Sequence, residues 1–121
     1  MKIILIDDDK FFRQLYSDKL KQKGAEVVVA EDGEEGLRKV FEFRPDIILL
    51  DLIMPKKDGF DFLKALTGNN ATSQIPVLVF STLGQEKDVQ EAMQLGAKGY
   101  VNKSFYDFEK LFNTILELSK K

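Results

Sequence analysis

The chain has 121 residues, 44% hydrophobic and 31% charged, with a formal net charge of −2. These values describe one soluble domain with a core of its own and give no electrostatic footprint for nucleic acid, since no basic run exceeds two residues. The absence of both cysteine and histidine excludes disulfides, thiolate and histidine metal sites, thiol nucleophiles and histidine bases, leaving carboxylates, hydroxyls and lysines to carry any chemistry.

The opening MKIILI is too short for a signal peptide or a membrane span and is followed at once by acids. A cytoplasmic location with no membrane contact is expected, and missing cysteine fits a reducing compartment. Ile3-Ile4-Leu5-Ile6 is the first of five apolar runs. Phe12, Leu15, Tyr16 and Leu20 follow at helical spacing, ended by Gly24. Next come Val27-Val28-Val29, then a second helix capped by Asp32 with Leu37, Val40 and Phe41 as its stripe. Pro45 separates that helix from Ile47-Ile48-Leu49-Leu50. Phe62, Leu63 and Leu66 predict a third helix. A polar loop from Thr67 to Gln74 leads to Val77-Leu78-Val79-Phe80. Val89, Ala92, Met93 and Gly96 predict a fourth helix, Gly99-Tyr100-Val101 a fifth strand, and Phe108, Leu111, Phe112, Ile115 and Leu118 the last helix.

Continuous rather than alternating runs indicate strands buried on both faces of a parallel sheet. The fold class is therefore α/β: a doubly wound (βα)5 domain over residues 1–121, flavodoxin-like, with strand order 2-1-3-4-5. Ligands in such sheets sit beyond the carboxyl ends of the strands, here between the first and third. The residues delivered there are Asp7, Asp8 and Asp9 after the first strand and Asp51 after the third. Ser81 and Thr82 follow the fourth strand, and Asn102 and Lys103 the fifth.

Carboxylates crowded at one edge repel, by roughly 3 kcal/mol for two charges about 5 Å apart at an effective dielectric near 20. Such a cluster raises a pKa or binds a cation, and magnesium suits an all-oxygen donor set. A carboxylate flanked by a divalent cation and a lysine is a competent nucleophile toward phosphorus, forming an acyl phosphate. Ser81 is placed to hydrogen-bond one phosphoryl oxygen. Blander readings exist for each residue: a helix cap for one Asp (Asp9 above all), a turn for Asp51, a solvated Lys103, core packing for Tyr100. Phe105, Phe108 and Phe112 read as core, Tyr106 as an exposed aromatic, and Glu31, Glu34 and Glu35 as a solvated face.

The segments ILIDDDKFF, IILLDLIMPKKDGF, IPVLVFST and GAKGYVNKSF resemble, in order and spacing, the receiver domains of two-component response regulators, chemotaxis-type receivers included. The likeness covers essentially the whole chain and is most specific at Asp51-Leu52-Ile53-Met54-Pro55 with Asp58-Gly59. It implies that Asp51 is the phosphoacceptor and that magnesium (or manganese) is held by Asp7, Asp8, Asp51 and the backbone carbonyl of Ile53. It further implies that Ser81 and Lys103 bind the phosphoryl group and that Ser81 and Tyr100 form the switch.

The implied protein is a signalling switch, not an enzyme beyond its own phosphorylation and dephosphorylation. Its implied partners are a sensor histidine kinase or phosphotransfer protein and a downstream protein or output domain. The fourth helix, fifth strand and fifth helix are the implied read-out surface, through which a dimer is also implied. Stand-alone receiver and excised N-terminal domain both remain open at this point.

Two departures stand out. Ser104 replaces the proline that usually follows the lysine with a cis peptide, so the bond is expected either trans with an altered loop or cis under strain. Thr82 replaces a small alanine and, with Ile53 and Leu83, is expected to crowd the site and slow hydrolysis of the phosphorylated form. Among other functions, a flavin site would place phosphate-binding donors where three aspartates stand. An aspartyl phosphatase would carry a second Asp at the position of Ile53. The remaining alternative is a receiver-like interaction module independent of phosphorylation.

Overall fold

Among the described residues, five short apolar runs, each followed by an amphipathic segment, build five strands and five helices in alternation. The computed structural model describes residues 1–54, 58–82, 85–105 and 107–120, with the side chain of Phe105 excepted. The expectations for Leu83, Pro55, Tyr106 and the Phe105 side chain lie outside the described residues. The elements are β1 (Lys2–Ile6), α1 (Lys10–Gln22), β2 (Glu26–Ala30), α2 (Gly33–Phe43), β3 (Ile47–Leu50), α3 (Gly59–Thr67), β4 (Val77–Ser81), α4 (Glu86–Gln94), β5 (Gly99–Asn102) and α5 (Phe108–Leu118). A single 3-10 turn, Lys103–Phe105, joins β5 to α5. No described helix is long and apolar enough to cross a membrane.

All strand pairs are parallel, in the order β2-β1-β3-β4-β5. The continuous runs divide between two cores because successive side chains leave opposite faces of a strand. Ile4, Ile6, Ile48, Leu50, Val77 and Val79 meet α2, α3 and Ala92 of α4 on one face. Ile3, Leu5, Ile47, Leu49, Leu78 and Phe80 meet Tyr16 and Leu20 of α1 and Leu111 and Ile115 of α5 on the other.

Helix starts are set by aspartate caps. Asp9, Asp32, Asp58 and Asp107 each accept a backbone N–H of the first turn, while α4 begins at Gln85 without a side-chain cap. Gly24 follows α1 with φ +91°, in the left-handed region that suits glycine. Two expected stripe residues are corrected. Phe41 and Met93 are exposed, because each lies one residue beyond the inward position of its helix, held by Val40 and Ala92. Phe43 completes the α2 stripe instead, packed against the core with the Lys2 ammonium 4.5 Å from its ring centre.

The start of α3 is packed against the backbone that carries Asp51. A Cβ on Gly59 would lie 2.6 Å from Leu52 Cα and 2.7 Å from the Asp51 carbonyl oxygen, contacts that real side chains do not make. Gly59→Ala should therefore displace the β3–α3 connection and destabilise the domain by about 1–3 kcal/mol, the usual cost of overpacking. Chemical denaturation would show this as a lower midpoint with an unchanged slope.

Candidate functional site

The sheet ladder runs one residue past the strands. Asp7 N–H donates to Ala30 O at 3.0 Å, and Asp51 N–H donates to Ile6 O at 2.9 Å. These bonds hold the two aspartates side by side at the carboxyl edge. Carboxylate oxygens of Asp7, Asp8 and Asp51 lie within 4.8 Å of one another. Asp7 and Asp51 are buried and Asp8 is exposed, so the group opens to solvent on the Asp8 side.

The surrounding contacts separate the roles of the acids. Asp9 caps α1 by accepting from Phe12 N–H at 3.1 Å, as expected of one of the three consecutive aspartates. Asp7 Oδ1 accepts from Asp9 N–H at 2.9 Å, and Asp7 Oδ2 pairs with the Lys103 ammonium. Asp51 Oδ1 accepts from the Ser81 hydroxyl at 2.8 Å and from Ile53 N–H at 3.3 Å. Asp51 Oδ2 lies 3.4 Å from Lys103 Nζ.

Two buried carboxylates thus share one ammonium. Burial pushes the Asp7 carboxyl above its ordinary value, aided by the negative charge of Asp51, while Lys103 and Asp9 N–H act in the opposite direction. Tyr100 is half-buried on β5, in register with Val79. Burial, followed by the charges of Asp88 and Asp51, pushes its phenol up to about 12, so it is protonated at neutral pH.

Asp7, Asp8, Asp51, Ser81 and Lys103 are brought together as expected. Tyr100 stands on the neighbouring strand, and Ile53 beside Asp51 is 52% exposed. Thr82 is exposed. The Lys103–Ser104 peptide is trans, there being no cis bond among the described residues. The turn that follows is held by Ser104 N–H donating to Asn102 Oδ1 at 2.8 Å.

Arg13 and Phe12 were not read from the sequence as part of the site, and Asn102, which was placed at this edge, was given no role there. Arg13 Nη1 donates to the Asp7 carbonyl at 2.9 Å, Asn102 braces the turn, and Phe12 places its ring centre 4.8 Å from Lys103 Nζ. Helical spacing assigned Phe12 to a core stripe. No local signal pairs it with a lysine 91 residues away.

The family model for the response regulator receiver domain matches residues 3–116. The transcriptional regulatory protein CpxR of Escherichia coli K12 is 42% identical over 108 residues, covering 89% of this chain and 45% of CpxR. The chain thus spans about half the length of the curated relatives it matches first. The crystallised chemotaxis protein CheY4 of Vibrio cholerae superposes with a TM-score of 0.89 at 34% identity, covering 97% of each chain. The BeF3-activated N-terminal receiver domain of Klebsiella pneumoniae RstA gives 0.89 at 26% identity, covering 99% of this chain and 100% of that one.

Burial of the Asp7 carboxylate has a measurable consequence. The folded state holds a proton on Asp7 more tightly than the unfolded chain, so ionisation of Asp7 lowers stability as pH rises from about 4 through its raised folded value. Asp7→Asn should melt above the wild type at pH 7 in a chelator. That margin should narrow as pH falls toward 4, followed by circular dichroism.

Proposed function

Because this chain belongs to the response regulator receiver domain family, we propose that it is a phosphorylation-driven switch whose phosphoacceptor is Asp51. The observation that carries this reading is the convergence on Asp51 of two further carboxylates, an ammonium and a hydroxyl, delivered by the ends of three other strands. Each element of that set has a task in phosphoryl transfer, and together they leave Asp51 bounded but accessible from the Asp8 side.

The donor set is entirely oxygen and carries excess negative charge, which fits a hard divalent cation, magnesium or manganese. Asp7, Asp8, Asp51 and the Ile53 carbonyl would hold it. When bound, such a cation supplies positive charge against the phosphoryl oxygens.

In the transfer itself, a carboxylate oxygen of Asp51 attacks phosphorus and the phosphorus–nitrogen bond of a donor phosphohistidine breaks. The electron pair returns to the imidazole of a sensor kinase or phosphotransfer protein. Lys103 faces the carboxylate and balances charge on the oxygens. The Ser81 hydroxyl, now donated to Asp51 Oδ1, turns to a phosphoryl oxygen. That movement frees space beside β4, into which the Tyr100 ring turns. Since its phenol stays neutral below about 12, the switch is steric and not a titration. Phosphorylation shifts the population toward the turned state, which a downstream protein or output domain reads at α4, β5 and α5.

Incubation with acetyl phosphate and magnesium should add one phosphoryl group by intact mass. The gain should vanish in Asp51→Asn and in a chelator. No gain in the folded protein would instead support a receiver-like module independent of phosphorylation.

The lifetime of the modified form is a separate expectation. Exposed Ile53 lies two residues beyond Asp51 and bonds its carboxylate through the backbone N–H, and exposed Thr82 follows Ser81 directly. Neither favours an ordered attacking water, so the half-life should be minutes or longer, and Ile53→Asn should shorten it severalfold. Loss of the group within seconds in the wild type, followed by the same mass measurement, would overturn this.

A further inference from the structure

The Lys103 side chain is a flexible four-carbon stem, and its position must come from packing. The backbone beneath it is a trans peptide leading into a turn where Ser104 N–H donates to Asn102 Oδ1. Asp7 and Asp51 pair with the ammonium. Two aromatic rings also face it, Phe12 with its centre 4.8 Å away and Phe80 at 5.7 Å, both within the range of cation–π attraction.

The rings are themselves locked. Phe12 stacks on Tyr16 at 5.6 Å and 6°, and Tyr16 meets Phe80 edge-on at 5.0 Å and 79°. Tyr16 and Phe80 are buried to 1% exposure, so this trio is a fixed wall between α1 and β4. Only Phe12 is partly open, at the rim. Aliphatic side chains of the same volume would put hydrocarbon there, against a buried ammonium, with no electrostatic compensation.

We propose that Phe12 and Phe80 are positioning residues, an aromatic seat that holds the Lys103 ammonium against Asp7 and Asp51. The inference rests on the phosphoacceptor reading for its functional consequence, though not for its geometry. The seat sets where the positive charge stands before any phosphoryl group arrives. It does so through π faces that neither donate nor accept a proton, leaving all three donors of the ammonium free for oxygen. Phe12, at the start of α1, therefore ties the packing of that helix to the electrostatics of the site.

The test is a double-mutant cycle between Phe12 and Lys103 in the full chain. Phe12→Leu should slow phosphorylation by acetyl phosphate about tenfold at saturating magnesium, and Phe12→Tyr should restore the rate. In a Lys103→Met background, Phe12→Leu should change nothing further. In the unphosphorylated, metal-free protein, the ammonium resonance of Lys103 should be visible by nitrogen-detected exchange spectroscopy. It should broaden in Phe12→Leu as water gains access, and persist in Phe12→Tyr. An unchanged ammonium resonance in Phe12→Leu, or equal slowing in both Lys103 backgrounds, would overturn the proposal. If the wild type takes no phosphoryl group, the phosphoacceptor reading fails while the ammonium resonance still decides the seat.

Discussion

The rest of the structure depends on the shared ammonium: one lysine set between two carboxylates that the sheet forces together. Parallel strands β1 and β3 are neighbours, and their ladder extends through Asp7 and Asp51, so the backbone gives these acids no freedom to separate. Their repulsion in a buried setting has to be met by a positive charge. Lys103 supplies one charge against two, and burial, aided by the charge of Asp51, leaves Asp7 with a raised proton affinity. An edge left with uncompensated negative charge and oxygen donors is suited both to cations and to chemistry that brings a cation with it.

The two cores serve this edge in different ways. The face formed with α1 and α5 is rich in aromatic rings near the site, and Tyr16 and Phe80 make a wall that does not yield. The opposite face ends in α4, which buries Ala92 alone and starts without a side-chain cap. Tyr100 packs against that second core and is half-buried. Rigid packing thus stands behind the charged groups, and thin packing stands where the proposed switch would move. An element with few buried contacts and a weak start is of the kind that shifts between alternative arrangements at low cost.

Membership in the receiver family narrows the chemistry without fixing what the protein controls. The curated relatives named here are about twice the length of this chain, whereas CheY4 is of nearly equal length. The same domain therefore occurs in proteins of different length. The trans peptide before Ser104 and the rings around Lys103 lie within the domain itself.

Much of the fold was legible in the residues. Four continuous apolar runs and a short fifth read as strands of a parallel sheet, and right-handed crossovers then leave few orders. The aspartates, Ser81 and Lys103 were legible as a site because each ends a run, and ends of parallel strands share an edge. What periodicity could not resolve was any inward position decided by a single residue of helix rotation, which is why Phe41 and Met93 turned out exposed. Nor could it show how the lysine is held. The partners of Lys103 come from α1, β4 and the ends of β1 and β3, and a Phe at helical spacing looks the same whether its ring meets leucine or an ammonium. Local patterns determined which chemical groups reach the edge. The tertiary structure alone decided which of them touch, because those contacts join segments whose order in the chain carries no information about their distance.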